Sequence, residues 1–360
     1  MMKIGSLFSR QAPPMMGLDI SASSLKLVEL GQSGAGNFSL EHCGIEPLEQ
    51  GLIVDSNIEK FDEVVDAMRR LVGKSGSKTK DVAMALPSSV VIGKRIILPG
   101  GLSEREMEVQ VESEASQYIP FPLDDVNLDF CVAGPSASSD GDVEVVIAAS
   151  RKEKVQEMQG LAEAAGLRLT VLDVENHASR RAARRFIDLL PGGNPDSVIV
   201  LFEIGAMTSV MHVLRAEELI YERDYLFGGA RLTHMLVRQY GFTLQEAESK
   251  KRAGELPSDY ATAVLAPYVD KLAHELERAL KFFFTSTPHN RVDYILLAGG
   301  TATLAGLTEA VTHYTSFPCQ IVNPFSGMNI GRGGRNKERT QRQAASYLTA
   351  CGLAMRRFVR

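Results

Sequence analysis

Two short segments carry side chains suited to a polyphosphate. Asp19-Ile20-Ser21-Ala22-Ser23-Ser24 and Glu203-Ile204-Gly205-Ala206-Met207-Thr208 each place a carboxylate two residues ahead of a turn of small and hydroxyl residues. Small residues let backbone N–H groups approach a phosphate, and the hydroxyls of Ser23, Ser24 and Thr208 can donate to it. Carboxylates at Asp19 and Glu203 would hold the water shell of Mg²⁺, which takes one or two carboxylates together with phosphate oxygens. Two ordinary hairpins with polar tips would use the same residue types. A third candidate is Ala298-Gly299-Gly300-Thr301-Ala302, where glycines after an apolar strand would let a nucleobase or ribose rest on bare backbone. A plain strand-to-helix turn has the same composition. Glu248 and Lys251, three apart on an expected helix, share a face and suit either ribose hydroxyls or a mutual ion pair.

The elements that must position these groups repeat. The segment from Gly17 aligns with that from Leu201 at a constant offset of 184 positions, without a gap as far as Leu30 opposite Leu214. Each copy reads as an apolar strand, a polar turn and a second apolar strand, Leu25–Leu30 in one and Ser209–Leu214 in the other. Repetition half a chain apart predicts two duplicated α/β domains with a cleft between them. Elsewhere the pattern predicts helices over Ile58–Val72, Arg151–Ala165 and Glu175–Leu190, with a long amphipathic helix through Leu265, Leu272, Leu276 and Leu280. A strand is expected over Asp81–Leu86. Ser103-Glu104-Arg105-Glu106 is a capping box opening a helix to Tyr118, which Pro120 and Pro122 stop. A loop at Gly134–Gly141 joins strands Val126–Val132 and Val143–Ala149. Pro191–Pro195 reads as the linker between halves, and Ser326–Arg342, rich in Gly, Arg and Asn, as a mobile surface loop.

Several motifs lack a necessary part. Gly73-Lys74-Ser75 has Met68 where a phosphate loop of the Walker type needs glycine. His274-Glu275 has Arg278 where zinc would need a second ligand. Ser23-Ser24-Leu25-Lys26 lies in a hairpin without the other penicillin-binding signatures. Arg180, Arg181, Arg184 and Arg185 read as the solvated face of a helix.

The 360 residues suffice for two cores, and a net charge of −5 points to neither nucleic acid nor membrane for the molecule as a whole. Residues 331–360 carry eight Lys and Arg against one Glu, a local +7, so the remainder is −12. Cys43, Cys131, Cys319 and Cys351 are scattered and read as reduced thiols of a cytosolic protein. No apolar run approaches the roughly 18–20 residues of a membrane span, and Met1–Arg10 makes a poor signal peptide.

At the two hairpins and the Gly299-Gly300 turn the sequence resembles the actin/hsp70/FtsA superfamily. A finer resemblance is to the PilM family of type IV pilus biogenesis and twitching motility. It is carried by Gly17–Ile20 with Leu25–Leu30, Glu114–Pro122, Val126–Phe130, Leu226-Phe227-Gly228-Gly229, Leu296–Gly300 and Ala350–Ala354. The stretch Tyr118-Ile119-Pro120-Phe121-Pro122 with Asn127-Leu128-Asp129-Phe130 is the specific part.

The resemblance implies an actin-like ATPase fold of four subdomains. Its first half would be 16–87 with 157–195 and the C-terminal helix at 345–358, its FtsA-type insertion 88–156, and its second half 196–344 with a smaller subdomain at 226–285. It implies ATP or ADP in the cleft with Mg²⁺. Phosphate contacts would come from Asp19, Ser21, Ser23, Ser24 and Lys26, and from Glu203, Gly205, Thr208, Gly228 and Gly229. Ribose contacts would come from Glu248 and Lys251, and the adenosine turn would be Gly299, Gly300 and Thr301. It implies a cytoplasmic protein at the inner face of the inner membrane. The partner would be the N-terminal cytoplasmic peptide of PilN, a single-span membrane protein, held through Tyr118, Ile119 and Phe121. Other platform components and self-association are compatible with this. Two departures stand out: Glu203 replaces the family's usual Asp, and Ser21 stands where many superfamily members have Gly. No residue is identified as a base for hydrolysis, so turnover is expected to be weak or absent. An FtsA-like filament former and a sugar kinase on the same fold are the rival expectations.

Overall fold

The computed structural model describes residues 13–32, 37–136, 138–190, 196–215, 218–331 and 337–359. The expected linker at 191–195 and the basic positions Arg332 and Arg335 lie outside them. The chain opens with β1 (Met16–Ser21), β2 (Ser24–Gln32) and β3 (Phe38–Pro47), then a small hairpin of β4 (Ile53–Val54) and β5 (Asn57–Ile58). Helix α1 (Phe61–Ser75) starts three residues later than expected because Ile58 is spent on that hairpin. It buries Val64, Val65, Met68 and Leu71, and Gly76 at φ 75° ends it in the left-handed conformation that favours glycine. β6 (Asp81–Leu86) keeps its expected bounds.

β7 (Ile92–Pro99), α2 (Glu104–Ala115), β8 (Val126–Pro135) and β9 (Asp142–Arg151) form an antiparallel sheet of order β7-β9-β8 with one helix on it. The Ser103–Glu106 capping box forms as expected. Met107 and Val111 of α2 close on Leu98, Val145 and Ile147. α3 (Lys152–Ala164), β10 (Arg168–Val174) and α4 (Glu175–Ile187) follow.

The second half contains β11 (Val198–Ile204), β12 (Ser209–Arg215), β13 (Glu218–Tyr225), α5 (Ala230–Tyr240), α6 (Leu244–Ala253) and α7 (Ala266–Ser286). β14 (Tyr294–Ala298), α8 (Leu307–Thr315), β15 (Cys319–Ile321), β16 (Asn329–Ile330), α9 (Lys337–Arg342) and α10 (Leu348–Ala354) complete it. Strand β16 pairs with β3, Asn329 opposite Ser39, and α9 is helical, so the described part of Ser326–Arg342 is not the expected loop. Composition suggested a loop there because a two-residue strand and a six-residue helix leave no periodicity to detect.

Duplication is visible in the sheets. The order β10-β6-β1-β2-β3 in one matches β15-β14-β11-β12-β13 in the other. β1 and β2 form a hairpin with β6 parallel to β1; β11 and β12 form a hairpin with β14 parallel to β11. The chain divides into a unit of Met1–Leu30, Gly44–Ser179 and Leu353–Arg360 and a unit of Gly31–Cys43 and Arg180–Gly352. The division falls within α10, between Gly352 and Leu353. In the second unit Tyr268, Leu272, Leu276, Leu280 and Phe283 of α7 pack on Val200, Phe202, Met211 and Val213. Each fully buried apolar side chain there contributes about 1.5–3 kcal/mol.

The expected solvated arginine face of α4 is only partly solvated. Arg185 donates to the carbonyl of Ser326 at 2.7 Å, and burial pulls its pKa below the ordinary guanidinium value. Arg180 lies 3.9 Å from Glu222. Helical spacing cannot show this, because the accepting groups lie far away in sequence.

Candidate functional site

In the first unit the hairpin register places Asp19 opposite Lys26. Lys26 Nζ donates to Asp19 Oδ2 at 2.8 Å and to Ser21 Oγ at 2.9 Å, and Ser21 Oγ donates to the Ser24 carbonyl at 2.9 Å. Asp19 is buried. Its charge is thus balanced by a lysine one strand away, and the hydroxyl of Ser21 is spent on the turn, while Ser23 and Ser24 stand at the tip.

The second hairpin repeats the register, with Glu203 opposite Val210. Gly205 N–H donates to the Thr208 carbonyl at 3.0 Å, closing a turn whose Met207 and Thr208 are exposed. Glu203 Oε1 accepts from Thr349 Oγ1 of α10 at 2.9 Å.

Two distant segments converge on the Gly205 turn, and a third braces one of them. The N–H of Gly229 donates to the Gly205 carbonyl at 2.9 Å, and that of Ala230 to the Ala206 carbonyl at 2.8 Å. Thr301 Oγ1 donates to the same Gly205 carbonyl at 3.0 Å. A Cβ on Gly228 would lie 2.5 Å from the Ala206 oxygen, and one on Gly229 would lie 2.6 Å from Thr301 Oγ1. Tyr268 Oη donates to the Gly228 carbonyl at 3.0 Å, which fixes the start of α5 from behind. Gly205, Thr208, Gly228, Gly229, Gly299, Gly300 and Thr301 are therefore brought together at one end of the second sheet.

The two glycines after β14 differ. Gly299 is buried at φ 88°, and a Cβ there would lie 2.4 Å from the Ile204 oxygen. Gly300 is exposed, and a Cβ there would meet only Ser346 Oγ, at 3.7 Å. Gly299 serves close packing of turn on strand, whereas Gly300 leaves its backbone open. Thr301 is buried and spends its hydroxyl on Gly205, so it positions the turn.

Glu248 and Lys251 form the ion pair that their spacing allows, with Thr233 between them. Lys251 Nζ donates to Thr233 Oγ1 at 2.7 Å, and Thr233 donates to Glu248. Burial by itself would raise the Glu248 carboxyl, but the Lys251 charge and the hydrogen bonds from Lys251 and Thr233 hold it below the usual carboxylate value. Arg252 lies 3.6 Å from Glu248 Oε2 and lines a cavity of about 860 Å³ with Thr303, Asn323, Arg339, Arg342 and Gln343. Its size falls in the usual range for small-molecule sites. Sequence reasoning missed Arg252, Arg339 and Asn323; the one available signal was that Arg252 follows Lys251.

In the α2–β8 corner the three expected partner residues separate. Ile119 is buried against Ala115, Val126 and Ala149 and is part of the core, so it is not available to a partner. A proline-punctuated turn after a helix must bury something to hold its angle, and Ile119 is that residue. Tyr118 is half-buried with Lys94 Nζ 5.3 Å from its ring centre, and burial followed by the charge of Glu114 raises its pKa. Phe121 is 40% exposed, with the Arg151 guanidinium 5.5 Å from its ring centre. No helix among the described residues is long and apolar enough to cross a membrane.

Comparison with known proteins fits this architecture. A solved PilM-PilN type IV pilus biogenesis complex contains a chain 28% identical to this one, at a TM-score of 0.77, covering 96% of this chain and 99% of that one. The ethanolamine utilization protein EutJ from Carboxydothermus hydrogenoformans shares the fold at 17% identity and a TM-score of 0.56, over 95% of this chain and 89% of that one. The actin-like α/β expectation is borne out by this fold. The model of the type IV pilus assembly protein PilM matches residues 17–358, and the chain belongs to that family.

Proposed function

We propose that this chain is a nucleotide-loaded adaptor of the type IV pilus assembly platform, with ATP or ADP as its ligand and the N-terminal cytoplasmic peptide of a PilN-like single-span protein as its partner. The observation that carries the nucleotide reading is the Gly205 carbonyl, which receives both the Gly229 N–H and the Thr301 hydroxyl. That convergence holds two glycine turns and a hydroxyl turn rigidly around exposed backbone, beside a cavity rich in arginine and amide groups. Within the second unit the donor set fits a phosphate ester: backbone N–H groups at Ala206–Thr208 and Arg252 for the nucleoside end; in the first unit the Ser23 and Ser24 tip offers hydroxyls of the same kind. Mg²⁺ bound with the nucleotide would supply charge neutralisation for the phosphates, and the carboxylates of the kind that hold its water shell are Asp19 in the first unit and Glu203 in the second.

The partner reading is supported by the family and by the solved complex, in which the related chain is paired with PilN. On this reading the protein is cytoplasmic and peripheral at the inner face of the inner membrane. Of the expected contact residues, Phe121 is the one with free apolar surface, and Tyr118 flanks it. The test is calorimetric titration with the partner's synthetic N-terminal peptide, at low and high salt, with and without ATP. A few apolar anchors give micromolar affinity, about −8 kcal/mol. Saturable binding that changes little with salt is the expected result. No binding in either nucleotide state overturns the adaptor reading.

A further inference from the structure

The basic residues of the C-terminal segment, 331–360, divide between two duties. Arg356 lies 3.5 Å from Asp173 and Arg357 donates to the Leu30 carbonyl at 2.8 Å, so these two hold the fold. Arg339 and Arg342, both on α9, instead join Arg252 of α6 around the cavity of about 860 Å³. That volume lies in the upper part of the usual range for small-molecule sites, roughly 300–1,000 Å³. No carboxylate is among the described residues that line it. Glu248, behind Arg252, is already paired with Lys251. Glu338 meets Arg342 at 3.4 Å, but both are exposed, and such surface pairs are weak.

The cavity continues from the Gly300 turn. Thr303, on its wall, donates to the Gly300 carbonyl at 3.3 Å. The Gly299 N–H donates at 2.9 Å to the carbonyl of Ala345, which also lines the cavity. A nucleoside resting on Gly300 would therefore present its ribose or base to three guanidiniums. Ribose and base are uncharged in ATP and ADP, so such a ligand leaves that positive charge unanswered. We propose that this cavity takes a nucleotide carrying a further phosphate group on its ribose, a nucleoside 3′,5′-bisphosphate, which presupposes the nucleotide reading of the same site. The added phosphate is held by Arg252, Arg339 and Arg342, since a guanidinium meets phosphate through two parallel N–H donors. Asn323 Oδ1 accepts the Phe325 N–H at 2.9 Å, which leaves the amide nitrogen of that side chain as a further donor on the wall.

The experiment is calorimetric titration of the full chain with ligands that differ only at the 3′ position. AMP is compared with adenosine 3′,5′-bisphosphate, and GDP with guanosine 5′-diphosphate 3′-diphosphate. In each pair the 3′-phosphorylated member should bind about ten- to a hundredfold more tightly at low salt, the usual gain from hydrogen bonds to a charged group. Arg339→Gln with Arg342→Gln should reduce that preference to within about threefold. Arg342→Lys, which keeps the charge without the planar fork, should retain part of it. If the double variant fails to fold by circular dichroism, the two single Gln variants give the same comparison with a smaller change. Wild type that binds ADP yet shows equal affinities within each pair overturns the proposal and leaves the nucleotide reading standing. Wild type that binds none of these nucleotides overturns both. A double variant that keeps the wild-type preference also overturns the proposal, as does inorganic pyrophosphate binding as tightly as the bisphosphates, which would mark a bare anion site.

Discussion

Thr349 Oγ1 donates to Glu203 Oε1 across 2.9 Å, tying the end of β11 to α10. An aspartate at position 203 would carry its carboxylate one methylene short of that hydroxyl. Thr349→Val should destabilise the protein by about 1 kcal/mol, the usual net value of one hydrogen bond. Glu203→Asp should cost a similar amount, and the two together less than their sum, as for any pair sharing one interaction. Urea midpoints of the four proteins check this; strict additivity would mean that the pair contributes nothing.

The glycines divide into packing and ligand positions, and substitution should separate them. Gly228→Ala puts a methyl 2.5 Å from a backbone oxygen and should cost about 1–3 kcal/mol of stability. Gly300→Val meets no backbone and should leave the thermal midpoint close to wild type while weakening ATP binding at least tenfold. Differential scanning calorimetry and ATP titration read the two effects independently. A folded Gly300→Val protein that binds ATP normally would remove the nucleoside from this turn.

Thr301 gives a finer test of the same cluster. Thr301→Ser keeps the hydroxyl that reaches Gly205 and should retain nucleotide affinity, whereas Thr301→Val should lose it in parallel with about 1 kcal/mol of stability. Equal affinities in the two variants would show that the hydroxyl does not position the site.

Acid should expose the Glu248–Lys251 pair. The folded carboxyl is held below its ordinary value of 4.5, so its contribution is fully present above that pH and is lost as pH falls through the depressed value. Wild type should therefore lose stability relative to Glu248→Gln as the solution is acidified below about pH 4.5. Parallel denaturation curves for the two proteins through that window would contradict the shift.

At the α2–β8 corner, Ile119→Ala should cost about 2–5 kcal/mol, because it leaves a hole in the core. Phe121→Ala should stay within about 0.5 kcal/mol in stability yet weaken the partner peptide. Thermal melts and peptide titration distinguish them. A destabilised Phe121→Ala protein with unchanged peptide affinity would assign Phe121 to the fold.

Features that depend on a few neighbouring residues are legible in the amino-acid order. It set the two hairpins at their 184-residue offset, the β6 strand, the Ser103–Glu106 cap and the amphipathic stripe of α7. Strand alternation, helical period and turn chemistry are complete within about ten residues, so they can be read directly. The remaining features rest on pairs far apart in the chain. Thr301 reaches Gly205 across 96 positions, Thr349 reaches Glu203 across 146, and Arg185 reaches Ser326 across 141. The same holds for the different duties of adjacent Gly299 and Gly300, and of Ile119 and Phe121. Neighbouring residues of similar type differ there because packing from another segment closes over one and leaves the other in solvent, and no local pattern encodes which segment arrives.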